Sequence, residues 1–193
     1  IKILSYEQKL DIKRGLLFKT RRVKNGEGHI TRIDEQRLVN MKYPHLVSLK
    51  YCITPENYSG NLLVRSFIDG AVQNMGVARY GELNSKHLKS LSAGASKNDI
   101  IYLTMKTNTS GITISEASRM RMFRGGKEEK PPRRTINRKN KIGCECSVPI
   151  KKDSTLKIEK TCGIFTSRDA FSGFPQKNSV KAAEKASSFQ RLA

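Results

Sequence analysis

Tyr51-Cys52-Ile53-Thr54-Pro55-Glu56-Asn57-Tyr58-Ser59-Gly60, running on into Leu62-Leu63-Val64-Arg65-Ser66-Phe67-Ile68-Asp69-Gly70, is the stretch that decides the fold class. Just upstream, Val47, Leu49, Tyr51 and Ile53 alternate with Ser48, Lys50 and Cys52, the period-2 pattern of a strand with one buried face. Leu62, Val64, Ser66 and Ile68 repeat the pattern beyond a Pro-Asn-Ser-Gly turn. The stretch therefore reads as two half-buried strands joined by a turn, a hairpin signal. Further along, residues 100–105 and 112–115 flank Thr109-Ser110-Gly111, a second hairpin signal with Gly in the turn. Leu156, Ile158, Lys160, Cys162, Ile164 and Thr166 alternate once more near the end. Many strands with turn chemistry between them predict an antiparallel all-β sandwich.

Two segments depart from that pattern. Residues 119–141 carry ten Lys or Arg against two Glu, with Gly125-Gly126 and Pro131-Pro132, and read as a basic loop rather than strand. Residues 179–193 have the Ala and Lys content of a helix. There Ser179 is the expected cap, and Val180, Ala183, Ala186 and Phe189 or Leu192 form an apolar stripe.

The 193 residues suffice to bury a core, although hydrophobic content is only 37% and Trp is absent. The formal net charge of +20 attracts polyanions, anionic membranes or phosphorylated ligands without bearing on the fold. Cys144-x-Cys146 is too closely spaced for a zinc knuckle, and Cys52 and Cys162 lie far off. No leader-like apolar segment opens the sequence and no run is long enough to cross a bilayer. The expected setting is cytoplasmic, with reduced thiols and no membrane.

No recognisable catalytic constellation is present. His29, His45 and His87 are scattered outside any metal-ligand spacing, so no metal or other cofactor is expected. Asp34-Glu35 and Glu128-Glu129 are adjacent pairs, which a strand would point to opposite faces, so neither forms an acid–base dyad. Asp11, Asp69 and Asp169 sit beside Gly or Arg at expected strand ends, where Asx turns or ion pairs are the ordinary use. Asn84-Ser85-Lys86-His87 is a polar cluster suited to contacting a ligand or, more simply, to bracing a loop.

An ordered series of segments carries a family resemblance. It runs from Asp11 to Leu17, then through Arg37 to Leu49, Ile53 to Gly60, Arg65 to Gly70, Gly76 to Tyr80 and Leu83 to Leu88. It resumes at Thr107 to Ile112, Ser115 to Ala117 and Ile158 to Asp169. In this order and spacing the segments resemble the N-terminal domain of glycoside hydrolase family 65. The basic insert matches least well. The resemblance implies a galactose-mutarotase-like β-supersandwich over residues 1–175, lacking its N-terminal strands, with residues 176–193 opening a helical linker. In that family the linker leads to an (α/α)6 barrel that holds the general-acid Glu and the phosphate-binding residues. The implied partners are therefore that barrel and, for the whole enzyme, an α-glucosidic disaccharide and inorganic phosphate, with homodimerisation open. No position here inherits a catalytic role. The residues expected to face the barrel or the sugar are Arg79, Asn84, Lys86 and His87. The alternatives are a basic polyanion- or carbohydrate-binding module, and a degenerate remnant. Tyr43, where the family has a small residue, and the +20 charge are the clearest departures.

Overall fold

The computed structural model describes residues 1–73, 85–169 and 173–193. Its strands are β1 (Lys2–Asp11), β2 (Leu16–Lys24), β3 (Ile30–Val39), β4 (Leu46–Pro55), β5 (Gly60–Asp69), β6 (Leu88–Ser96), β7 (Ile100–Thr107), β8 (Thr113–Arg124), β9 (Lys127–Glu129), β10 (Arg134–Arg138), β11 (Lys141–Ile150) and β12 (Leu156–Thr166). Helices α1 (Pro175–Lys185) and α2 (Phe189–Leu192) follow. A large antiparallel sheet has the order β1-β2-β3-β4-β12-β8-β7-β6, with β9 on the end of β8. A small sheet, β10-β11-β5, packs across it.

Alternation assigns each face. On the inner face Met120, Met122, Leu156 and Ile158 of the large sheet meet Cys144, Cys146, Val148 and Ile150 of the small one. Ile101, Leu103 and Met105 meet Ile68 and Ile142 beside them. The two helices cover the outer face, where Phe189 and Leu192 pack on Leu16, Leu38 and Leu46 and Ala183 packs on Ala117 and Ile100. The small sheet reaches Tyr51 and Ile53 of β4. Beyond it, Ile3, Tyr6, Leu10 and Val39 remain exposed.

The Tyr51–Gly70 stretch forms two strands, but not a hairpin. β4 pairs with β3 and β12, whereas β5 pairs with β11 in the other sheet. Residues 56–59 are an arch between sheets, held by side chains instead of a β4–β5 ladder. Asn57 accepts from the Ile30 amide at 2.7 Å and donates to the Gly28 carbonyl at 3.0 Å, while Ser59 accepts from the Lys152 amide. By contrast the β7–β8 hairpin forms as expected. Gly111 is left-handed at φ +67° in its turn, and the Thr107 hydroxyl receives the Ile112 amide.

The basic segment is not a loop: residues 119–124 complete β8, and β9 and β10 follow. Cross-strand carboxylates make this possible. Arg121 meets Glu159 at 3.0 Å, Arg124 meets Glu129 at 2.8 Å and Arg134 meets Glu145 at 2.9 Å. Met120 and Met122 meanwhile fill the core between the arginines. Gly125 and Gly126 both have positive φ, as a tight two-residue hairpin turn requires.

Ser179 does not cap a helix. α1 begins at Pro175, at the position where a missing N–H costs least, and Ser179 is buried within it. Its hydroxyl donates back to the Gln176 carbonyl at 2.9 Å, the local bond available to a mid-helix serine. The same hydroxyl lies 3.1 Å from Ser115 Oγ, which is 3.0 Å from Thr104 Oγ1, so a buried chain of hydroxyls joins helix and sheet. Gly163 permits this close approach, since a Cβ there would lie 2.6 Å from the Ser179 carbonyl oxygen. The expected apolar stripe is divided between two helices, because Ala186 leaves helical geometry at ψ 132°.

Candidate functional site: one rim of the large sheet

Register places several chain reversals at one end of the large sheet. Leu46 faces Gly163, Thr166 faces Ile114, Lys106 faces Thr113 and Leu88 faces Thr107. The start of β4, the end of β12, the β7–β8 turn and the start of β6 therefore share a rim. Lys86 and His87 are exposed there, just before β6. Their carbonyls are fixed by Asn108 of the β7–β8 turn, whose side-chain amide donates to Lys86 at 3.0 Å and whose backbone amide donates to His87 at 2.9 Å. This part of the polar cluster is braced through its backbone. Arg79 and Asn84, expected beside it, lie outside the described residues.

The same rim contains a group that sequence reasoning did not single out. The His45 ring stacks on Phe165 at 4.0 Å with planes 14° apart. Its Nδ1 lies 2.9 Å from the Ile164 carbonyl and 3.9 Å from Asp169 Oδ2. His45, Tyr43, Phe165, Lys185 and Leu192 line a cleft of about 410 Å³ where α1 gives way to α2. Tyr43-Pro44-His45 was visible as a family segment with an unusual Tyr, but Phe165 is far away in sequence, so only the β4–β12 pairing joins the two.

Among the described residues the carboxylates do not converge on a reaction centre. Asp34 bonds Thr20 at 2.8 Å on one face of β3, while buried Glu35 takes Arg21 and Arg37 on the other. Glu159, also buried, faces the helix side, held by Arg121 at 3.0 Å and Lys157 at 3.1 Å. The two buried acids thus lie on opposite faces of the sheet, each between two cations. Asp11, Asp69 and Asp169 accept backbone amides of Arg14, Ala71 and Thr166 respectively, the turn role expected of them.

The cysteines are free thiols, and burial pushes each of them up, Cys162 to about 12. They are therefore protonated and poorly nucleophilic near neutrality. Among the described residues no three His, Cys, Asp or Glu side chains gather as a metal site. No helix there is long and apolar enough to cross a membrane.

A two-sheet antiparallel sandwich with a helix-covered back and a polar rim defines the class of domain. The chain matches the model of the glycosyl hydrolase family 65 N-terminal domain over residues 1–193, and it belongs to that family. It is 34% identical over 170 residues to an uncharacterized glycosyl hydrolase of Mycobacterium tuberculosis, covering 88% of this chain and 13% of that protein. It is 30% identical over 176 residues to the kojibiose phosphorylase of Thermoanaerobacter brockii, covering 89% of this chain and 22% of the enzyme. A solved human-microbiome protein described as a candidate kojibiose phosphorylase shares the fold at TM-score 0.80 and 15% identity, over 100% of this chain and 24% of that one. The chain thus spans under a quarter of the length of these relatives.

Proposed function

We propose that this chain is the accessory sandwich of a carbohydrate-active enzyme acting on α-glucosidic disaccharides, and that phosphorolysis is the chemistry of the whole protein. The observation that carries the reading is the family match along all 193 residues. The scattered carboxylates support a scaffold role, since cleavage of a glycosidic bond needs two groups flanking it. In the whole protein a Glu of the (α/α)6 barrel protonates the glycosidic oxygen while inorganic phosphate attacks the anomeric carbon. The sandwich occupies residues 1–175, and the segment from 176 onward leads toward the barrel. Free thiols, three of the four buried, fit a reducing, cytoplasmic setting.

The rim carrying Lys86, His87 and the His45–Phe165 stack is the surface assigned to the barrel, and Arg79 and Asn84 belong to the same reading. The test is a protein in which this domain is joined to its barrel, assayed for phosphate-dependent release of glucose phosphate from kojibiose, trehalose, maltose and nigerose. Activity on at least one of these is expected, with none from the 193-residue chain alone. Replacing Lys86 and His87 together by Ala should lower kcat/KM by roughly tenfold through misplacement of the interface, with the melting temperature of the isolated sandwich unchanged. Unaltered kinetics would remove the rim from the reading.

A further inference from the structure

The outward face of the small sheet holds a slot that the scaffold role does not use. Three cross-strand rows build it. Arg65, Glu145 and Arg134 form the first, Phe67, Gly143 and Ile136 the second, and Asp69, Lys141 and Arg138 the third. Their neighbours Ser66, Ile68, Ile142, Cys144 and Cys146 point into the core, so the three rows face outward. Successive rows stand about 7 Å apart and the two charged rows about 13 Å apart, from the rise of alternate residues along a strand.

Gly143 makes the floor. A Cβ there would lie 2.2 Å from the Phe67 ring and 2.7 Å from the Ser66 carbonyl oxygen. Only glycine lets the ring lie across β11, where Lys141 Nζ stands 4.8 Å from its centroid, and Ile136 completes an apolar strip beside it. At one end Glu145 is shared by Arg65 and Arg134; at the other Asp69 takes Lys141 at 2.6 Å. Two cations stand against one carboxylate at each end. The exposed Arg138 side chain makes no ion pair or hydrogen bond among the described residues. The slot has a volume of about 500 Å³, within the range of small-ligand sites.

We infer that this slot binds a phosphate monoester carried on a ring, the phosphate held by Arg138 and Lys141 and the ring lying on Phe67 and Ile136. Planar guanidinium forks suit phosphate oxygens, and an apolar floor accepts the face of a sugar or a base. A nucleic acid strand fits less well, because its successive bases want a row of aromatics and this slot has Phe67 alone.

The test titrates the purified 193-residue chain by calorimetry, in low salt, with glucose 6-phosphate, adenosine monophosphate, inorganic phosphate and glucose. Both ring phosphates, or either one, should bind at least about tenfold more tightly than inorganic phosphate or glucose, since charge and floor act together. Their relative order distinguishes a sugar source from a nucleotide source. Arg138→Gln, at an exposed position, should weaken the ring phosphate about tenfold through loss of charge-assisted hydrogen bonds, with unchanged thermal unfolding. Phe67→Leu should weaken ring phosphates and leave inorganic phosphate as it was. Equal binding by wild type and Arg138→Gln overturns the site. So does binding of both ring phosphates no tighter than that of inorganic phosphate.

Discussion

At the scale of single residues, Gly163 has the most exposed consequence. Its Cα faces the backbone of α1, and an added methyl would meet a carbonyl oxygen at 2.6 Å. Gly163→Ala should cost about 1–3 kcal/mol, the usual penalty for overpacking, read as a lower urea midpoint at constant slope. An unchanged midpoint would mean that α1 is not seated as described. The acids give a second expectation. Arg22 holds Glu56 below the ordinary carboxylate range, Lys141 does the same for Asp69, and Arg65 with Arg134 for Glu145. Their contribution is therefore complete above the ordinary carboxylate pKa of about 4 and is lost as pH falls through the lower folded values. Each pair is exposed, so each contribution is small. Melting temperature followed from pH 6 to pH 2 should fall, and Glu56→Gln should make that fall shallower. Turn acids such as Asp69 were legible from their neighbours alone, because an Asx turn is local. The His45–Phe165 stack was not, because its partners are brought together only by strand pairing across more than a hundred residues.

Among the elements, alternation shows where β4, β5 and β12 lie, since period 2 is written in their side chains, while β7, buried on both faces, shows itself as an apolar run beside a Gly turn. It could not say which strands pair, and the β4–β5 arch is the case in point: a turn sequence looks alike whether the chain reverses within a sheet or crosses to another. The basic segment departs from its expected loop for a different reason. Its arginines gave it the composition of a loop, yet Met120 and Met122 kept the strand period beneath them, and the acids that neutralise the arginines lie on other strands. Stability should differ sharply between elements. β1 is exposed along nearly its whole length and pairs only with β2, whereas β12 is bordered on both sides and packed above and below. Amide hydrogen exchange should be fast in residues 2–11 and slowest in residues 156–163, as local opening follows burial. Comparable protection of the two would contradict the sheet order.

For the molecule as a whole, the family and the sandwich were readable from ordered segments, and the net charge of +20 pointed to anionic partners without locating them. The structure pairs some of these cations with carboxylates on neighbouring strands, and the outward face of the small sheet is one place where cations outnumber acids. The order of the large sheet bears on synthesis. The strand that joins its two halves, β12, follows every other strand of that sheet in the chain, with Ile53 paired to Leu156 and Ile158 to Met122. On the ribosome the β1–β4 and β6–β8 halves must wait with open inner edges until residues 156–166 emerge. Such edges invite pairing with other chains, and distant pairings form slowly. Closure of the large sheet therefore waits on residues 156–166, whatever the strength of the core once formed.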